Sequence, residues 1–173
     1  QETTIFKSMT VRESVVVAQH LRAKASLAGY FWGSKTAKED VSAFGKYADE
    51  LLEFLGMSEI ANELASNLPQ GNLRALGIAI GLATDPKVLL LDEPCANLDG
   101  RSVKDIEALL QSAHQSGTRI VMATHDLGQA RRLATEILFL FKGRIHEAGP
   151  APDAFDAPQT PEFKSFLNGD ILI

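Results

Sequence analysis

The sequence predicts an α/β protein in which a helical first part, residues 1–85, leads into a parallel-sheet part, residues 86–173. Three observations carry this. Up to about residue 86, apolar residues recur at helical spacing. From Pro86 onward short apolar runs alternate with helical patterns, the mark of a parallel sheet with crossover helices. Two of those runs, "KVLLLD" (87–92) and "TRIVMAT" (118–124), show no polar alternation, as strands covered on both faces do.

The elements follow in order. "TVRE" sets Thr10 as N-cap with Glu13 three residues on, a capping box opening a helix to about His20. "TAKE" repeats the device with Thr36 and Glu39. The helix after it places Phe44, Tyr47, Ala48, Leu51, Leu52 and Leu55 on one face and stops at Gly56. Between these helices "LAGYFWGSK" (27–35) holds three adjacent aromatics, expected to pack a helix joint, with a partner-contact surface as the other reading. A third helix runs from about Gly71 to Ala83, and Gly81 inside it costs about 1 kcal/mol relative to alanine. After the strand 87–92 comes a helix over about Arg101 to Gln115, stopped by Gly117. The strand 118–124 leads to a helix over about Leu127 to Ala134. Its Arg131-Arg132 pair, matched by Asp126 and Glu136, reads as a solvated face. "EILFLFKGRIHEAG" reads as two strands around Lys142-Gly143. Thr160 and Pro161 open the last helix, which ends before Gly169.

Composition narrows the function classes. A net charge of −5 and a pI near 5.4 argue against a dedicated nucleic-acid binder. The single cysteine, Cys95, cannot form an internal disulfide, which fits a reducing compartment. Cys95, His114 and His146 lack metal-ligand spacing. The apolar runs are far shorter than the roughly 18 residues that span a bilayer.

Asp92 and Glu93 end the strand "KVLLLD", and His125 ends "TRIVMAT", 33 residues after Asp92. In open parallel sheets function gathers at the carboxyl ends of the strands. One acid can hold Mg²⁺, a second can deprotonate a water, and an imidazole can meet a γ-phosphate. Alone, the acids could merely cap a strand and His125 could be structural; together they favour phosphoryl-transfer chemistry.

These residues resemble the ATP-binding cassette ATPases that power membrane transporters. "VLLLDEP" resembles the Walker B strand, "ANLD" (96–99) the D-loop and "ATHDL" (123–127) the switch-histidine segment. "LPQGN" (68–72) stands at the signature loop, and Gln1 at the Q-loop glutamine. The resemblance implies a partial P-loop NTPase (RecA-like) parallel sheet with an inserted helical subdomain. It implies ATP and Mg²⁺ as cofactors, and as partners a second cassette and membrane-embedded permease subunits at the cytoplasmic face. By position it gives Asp92 and Gln1 to the metal and Glu93 to the general base. His125 falls at the γ-phosphate, and Gly71, Asn72 and Asp99 at the nucleotide shared with the opposite cassette.

The sequence also departs from the family. No G-x-x-x-x-G-K-[ST] loop is present: around Gly45-Lys46, Asp40 replaces the first glycine and Tyr47 the Ser or Thr. Truncation is the simplest account, and the chain as given is expected to bind ATP weakly or not at all. In the signature loop Pro69, Gln70 and Asn72 replace Ser, Gly and Gln. Losing the hydroxyl removes a phosphate hydrogen bond worth roughly 1.5–3 kcal/mol. Ile80 and Gly81 replace the common Arg-Ala. "IFKSMTV" (5–11) and "LPQGN" resemble branched-chain amino acid importer cassettes. "MATHDLGQARRLA" and "FKSFLNGDIL" are closer to tungstate-type oxyanion importers, a pattern that suggests a recombinant gene joined near "LDEP".

Overall fold

The computed structural model describes residues 5–170. The chain divides into two compact units, 1–122 and 123–173.

The first unit is mainly helical. Helix α1 (Val11–Ala18) opens on the expected capping box: Thr10 Oγ1 accepts from Glu13 N–H (3.1 Å) and Glu13 Oε2 accepts from Thr10 N–H (2.8 Å). It relaxes into a 3₁₀ turn, Gln19–Arg22, before the short helix α2 (Leu27–Phe31). Helix α3 (Lys35–Phe54) is capped by Ser34, which accepts from Ala37 N–H at 3.2 Å. Thr36 lies inside the helix, correcting the expectation that it caps. Gly33, at φ +66°, turns the chain just ahead of Ser34, so the helix starts two residues before Thr36 could cap it. Gly56, at φ +68°, ends α3 as expected.

Helix α4 (Gln70–Ala83) completes the helical core. Val11 and Val15 of α1, Ala48 and Leu52 of α3, and Leu76, Ala79 and Ala83 of α4 form one buried cluster. Arg12 and Asp49 tie α1 to α3 outside it through a two-pronged ion pair, at 2.6 Å and 3.0 Å. Strand β1 (Val88–Asp92) follows, then helix α5 (Gly100–Gln115) and strand β2 (Arg119–Ala123), which pairs with β1 in a parallel sheet.

The covering of β1 differs from expectation. Leu89 and Leu91 are half-buried, whereas Val88 is 52% and Leu90 74% exposed. One face packs on α4, where Gly81 leaves so little room that a Cβ there would sit 2.9 Å from Leu89 Cδ1. The other face has no cover among the described residues. Gly81 thus permits close helix–strand approach, which a reading from helix propensity misses.

In the second unit, helix α6 (Leu127–Leu133) precedes an antiparallel hairpin, strand β3 (Glu136–Phe141) with strand β4 (Arg144–Pro150). Lys142 and Gly143 both take positive φ, +48° and +73°, as a tight hairpin turn requires. Helices α7 (Ala151–Asp156) and α8 (Pro161–Leu167) pack Phe155 and Phe163 onto Phe139 of β3. Arg131 and Arg132 are both exposed, as expected of a solvated face, and Arg131 also lies over the Phe155 ring at 4.5 Å and pairs with Asp156 at 3.8 Å.

Candidate functional site

Within the first unit, three segments place the predicted residues. Asp92 is the last residue of β1 and is exposed; Glu93, half-buried, takes a left-handed backbone at φ +46°. That region is costly for a residue with a Cβ and is found where function or packing over-determines the chain. Asn97 repeats it at φ +62°. The bonds Ala96 N–H to Glu93 C=O (3.1 Å) and Leu98 N–H to Cys95 C=O (3.3 Å) fold residues 93–98 into consecutive turns. The chain thereby leaves the strand, sets two adjacent carboxylates at its carboxyl end and enters α5 at once.

Asp99 is the N-cap of α5. Its Oδ1 accepts from Arg101 N–H (2.9 Å) and Ser102 N–H (3.1 Å), and its Oδ2 accepts from the Ser102 hydroxyl (2.7 Å). The Ser102 hydroxyl foremost, with those backbone N–H groups, holds the Asp99 carboxyl below its ordinary pKa. Its first duty in this structure is therefore local. Ser102 escapes a motif-based reading, although a serine three residues after an aspartate N-cap is the one signal that could have flagged it.

Gly71 stands in the first turn of α4, against that same serine: a Cβ on Gly71 would lie 2.6 Å from Ser102 Oγ and 2.9 Å from its Cβ. The structure therefore brings Gly71 and Asp99 together through Ser102. A groove of about 630 Å³ runs beside them, and Asn72, Arg101 and Asp105 share its lining with Gly71 and Ser102. Pro69 caps α4 without a side-chain hydrogen bond, so the first-turn N–H groups of this 14-residue helix, the positive end of its dipole, gain no side-chain cap.

His125 belongs to the second unit, exposed and two residues past the end of β2. The adjoining Asp126 caps α6, accepting from Gln129 N–H at 3.0 Å and donating its own N–H to Thr124 Oγ1 at 3.1 Å. Those bonds fix the segment on which His125 is carried. Gln1 lies outside the described residues.

The donor chemistry fits Mg²⁺ and a nucleotide phosphate. Asp92 and Glu93 offer hard oxygen donors, which suit an ion that takes one or two carboxylates and fills its remaining positions with water and phosphate oxygens.

The family model described as ABC transporter matches residues 1–96, more than half of the chain. The chain belongs to the ABC transporter family. Its relatives include the phosphate import ATP-binding protein PstB 2 of Natronomonas pharaonis, 38% identical over 71% of this ABC chain and 43% of the relative. A probable anion import ATP-binding protein of Haloferax volcanii is 31% identical over 99% of the chain and 59% of the relative. The methionine import ATP-binding protein MetN of Bifidobacterium longum is 39% identical over 69% and 30%. The chain thus spans about a third to three fifths of the length of these relatives. Among solved structures, a nucleotide-free ATP-binding cassette from an ABC transporter superposes with a TM-score of 0.74 at 22% identity, covering 92% of this chain and 63% of that one. A cassette in its ADP conformation gives 0.69 at 23% identity, covering 91% and 63%. These two establish the ABC cassette fold.

Proposed function

We propose that this ABC chain supplies the hydrolytic half of an importer's ATP-binding cassette. The observation that carries the reading is the adjacent Asp92-Glu93 pair at the carboxyl end of β1, in a chain of this family. ATP would bring the scissile phosphoanhydride, and Mg²⁺ when bound would neutralise its charge. Asp92, with Gln1, would hold the Mg²⁺; Glu93 would take the proton of the attacking water; His125 would donate a hydrogen bond toward the γ-phosphate. The α4 N-terminus, through the Gly71 backbone N–H and with Asn72, faces a phosphate held by a second cassette, and Asp99 lies on the same dimer contact. Residues 1–85 then serve the Q-loop, helical subdomain and signature helix, and 86–173 the ATPase core. The partners are that second cassette and the permease subunits, with the cassette peripheral at the cytoplasmic face. No helix among the described residues is long and apolar enough to cross a membrane. The 173 residues contain no phosphate-cradling loop, so hydrolysis requires one from outside them.

For the cargo, "IFKSMTV" and "LPQGN" support branched-chain amino acids, whereas the tungstate-like second half, together with relatives named for phosphate and anion import, supports an oxyanion. The methionine import relative supports an amino acid cargo as well. A nucleotide-independent permease-docking domain is the competing reading, favoured by the missing loop and the altered signature; the Asp92, Glu93 and His125 set opposes it, since docking has no chemical use for it.

The test is hydrolysis by the cassette with its phosphate-cradling loop present. Glu93→Gln should keep ATP binding and lower turnover by about 10²–10⁴-fold, the usual worth of a general base. Unchanged turnover would remove Glu93 from this role, and absence of ATP binding by the unaltered cassette would favour the docking domain.

A further inference from the structure

The aromatics of residues 27–35 do not pack a helix joint. Leu27 is 90%, Phe31 84% and Trp32 77% exposed, and Leu21 stands out beside them in the sequence at 78%. Leu27 and Phe31 are four residues apart, on one face of α2, and Trp32 meets Phe31 edge-to-face at 5.1 Å. Tyr30, 36% exposed, is tied down at its tip, donating its hydroxyl to Asp40 Oδ2 at 3.0 Å. That same oxygen accepts from Lys24 N–H (2.9 Å) and Ala25 N–H (2.8 Å), so one buried carboxylate on α3 fastens the whole segment. The display is thus held by polar bonds, with its apolar side chains left over and facing water. Scattered exposed leucines are ordinary, but a contiguous aromatic cluster on a fastened platform marks a contact surface.

Charge indicates what it contacts. Between Glu13 and Glu39 the chain has no acidic residue at all, while Arg22, Lys24, Lys35 and Lys38 all fall there, in a protein of net charge −5. All four are exposed. Lys38 lies beside the turn that presents Trp32, its Cε 4.0 Å from where a Cβ on Gly33 would be. Lys35 has only a loose, solvent-exposed ion pair with Glu39 at 3.8 Å. Exposed Trp, Phe and Leu on a segment that also carries four exposed lysines and arginines match the boundary between acyl chains and anionic headgroups. There the rings sit at headgroup depth and each cation is drawn to the negative surface. An apolar protein groove would accept the same rings but gives no reason for four exposed cations against the one exposed acid, Glu39, within residues 21–39.

We propose that residues 21–38 form a membrane-surface contact, with Leu27, Phe31 and Trp32 inserted among the headgroups of anionic lipid. This contact is made by the chain itself, independent of any permease and of the hydrolysis reading. Trp32 is the chain's only tryptophan, so its emission reports the tip alone. With vesicles of phosphatidylglycerol and phosphatidylcholine, the emission should move to shorter wavelength and be quenched by brominated acyl chains. With pure phosphatidylcholine it should stay unmoved, and 0.5 M salt should reverse the binding. Co-sedimentation should fall about tenfold or more for Leu27→Ser with Phe31→Ser. Neutralising Lys35 and Lys38 as glutamine should cost roughly fivefold each. These exposed substitutions should leave the melting temperature unchanged, which separates lost contact from lost folding. Trp32 emission indifferent to anionic vesicles overturns the proposal, as does equal sedimentation of the serine variant. An emission shift produced only by detergent-solubilised permease overturns it too, in favour of a protein partner.

Discussion

Gly71 and Ser102 are in contact through a space that holds no more than a hydrogen: a Cβ at residue 71 would stand 2.6 Å from Ser102 Oγ. Ser102 cannot withdraw freely, because its hydroxyl donates to Asp99 Oδ2 at 2.7 Å. The first turn of α4 and the capped start of α5 are thereby locked at a separation that only glycine allows.

Gly71→Ala should therefore destabilise the chain by about 1–3 kcal/mol, the usual cost of overpacking, despite alanine's better helix propensity. Combining it with Ser102→Gly should recover part of that loss, read as a coupling energy in a double-mutant cycle by denaturant melts. Additive losses would show that the two residues do not meet.

Leu76 and Leu90 look alike in sequence, each within an apolar run, yet Leu76 is 0% and Leu90 74% exposed. In the 173-residue chain Leu76→Ala should cost about 2–5 kcal/mol by leaving a cavity. Leu90→Ser should stay within about 0.5 kcal/mol, as surface changes do. A Leu90→Ser loss matching that of Leu76→Ala would mean that β1 is covered on both faces after all.

That contrast shows where sequence reading succeeds and where it stops. The Thr10–Glu13 box, the Lys142-Gly143 turn and the Thr160-Pro161 start were all legible, because each is decided within three or four residues. The bare face of β1 was not: apolar composition says what a strand could bury, and only the neighbours say what it does. Asp92 and Glu93 were legible as a strand-end pair. The Gly71–Ser102 contact joins residues 31 apart through tertiary packing, so no local pattern announces it. The exposure of Phe31 and Trp32 likewise depends on Asp40, whose grip on Lys24, Ala25 and Tyr30 is invisible in periodicity.

The Thr10 cap gives a smaller, cleaner test of a local interaction. Thr10→Ala should cost about 1 kcal/mol. The variant also leaves Glu13 N–H without its side-chain acceptor. Hydrogen exchange should speed first at the α1 amides, and unchanged stability with unchanged exchange would rule out the reciprocal cap as a contributor.

Glu147 sets an acid limit on the second unit. It lies on β4 with only 9% exposure, and its carboxylate accepts from Gln159 N–H (3.0 and 3.1 Å), Thr160 N–H (3.0 Å) and the Thr160 hydroxyl (2.8 Å). Desolvation pushes its pKa up, but the Gln159 and Thr160 bonds together outweigh it and leave the pKa below the ordinary glutamate value. A carboxyl whose folded pKa is depressed stabilises the fold fully above its unfolded pKa, about 4.3. That contribution is lost as pH falls through the folded value. Thr160 Oγ1 also accepts from Phe163 N–H at 3.4 Å, so the clamp continues into the N-terminus of α8. Glu147→Gln turns one acceptor oxygen into a donor facing donors, and should lower the melting temperature of the second unit at pH 7. The deficit against the unaltered chain should shrink as pH falls below the unfolded glutamate value of about 4.3 and through the lower folded one, as the native carboxylate gains its proton and loses the same bonds. Melts followed by circular dichroism across that range decide it: a deficit constant with pH would mean that the charge on Glu147 contributes nothing and only its shape matters.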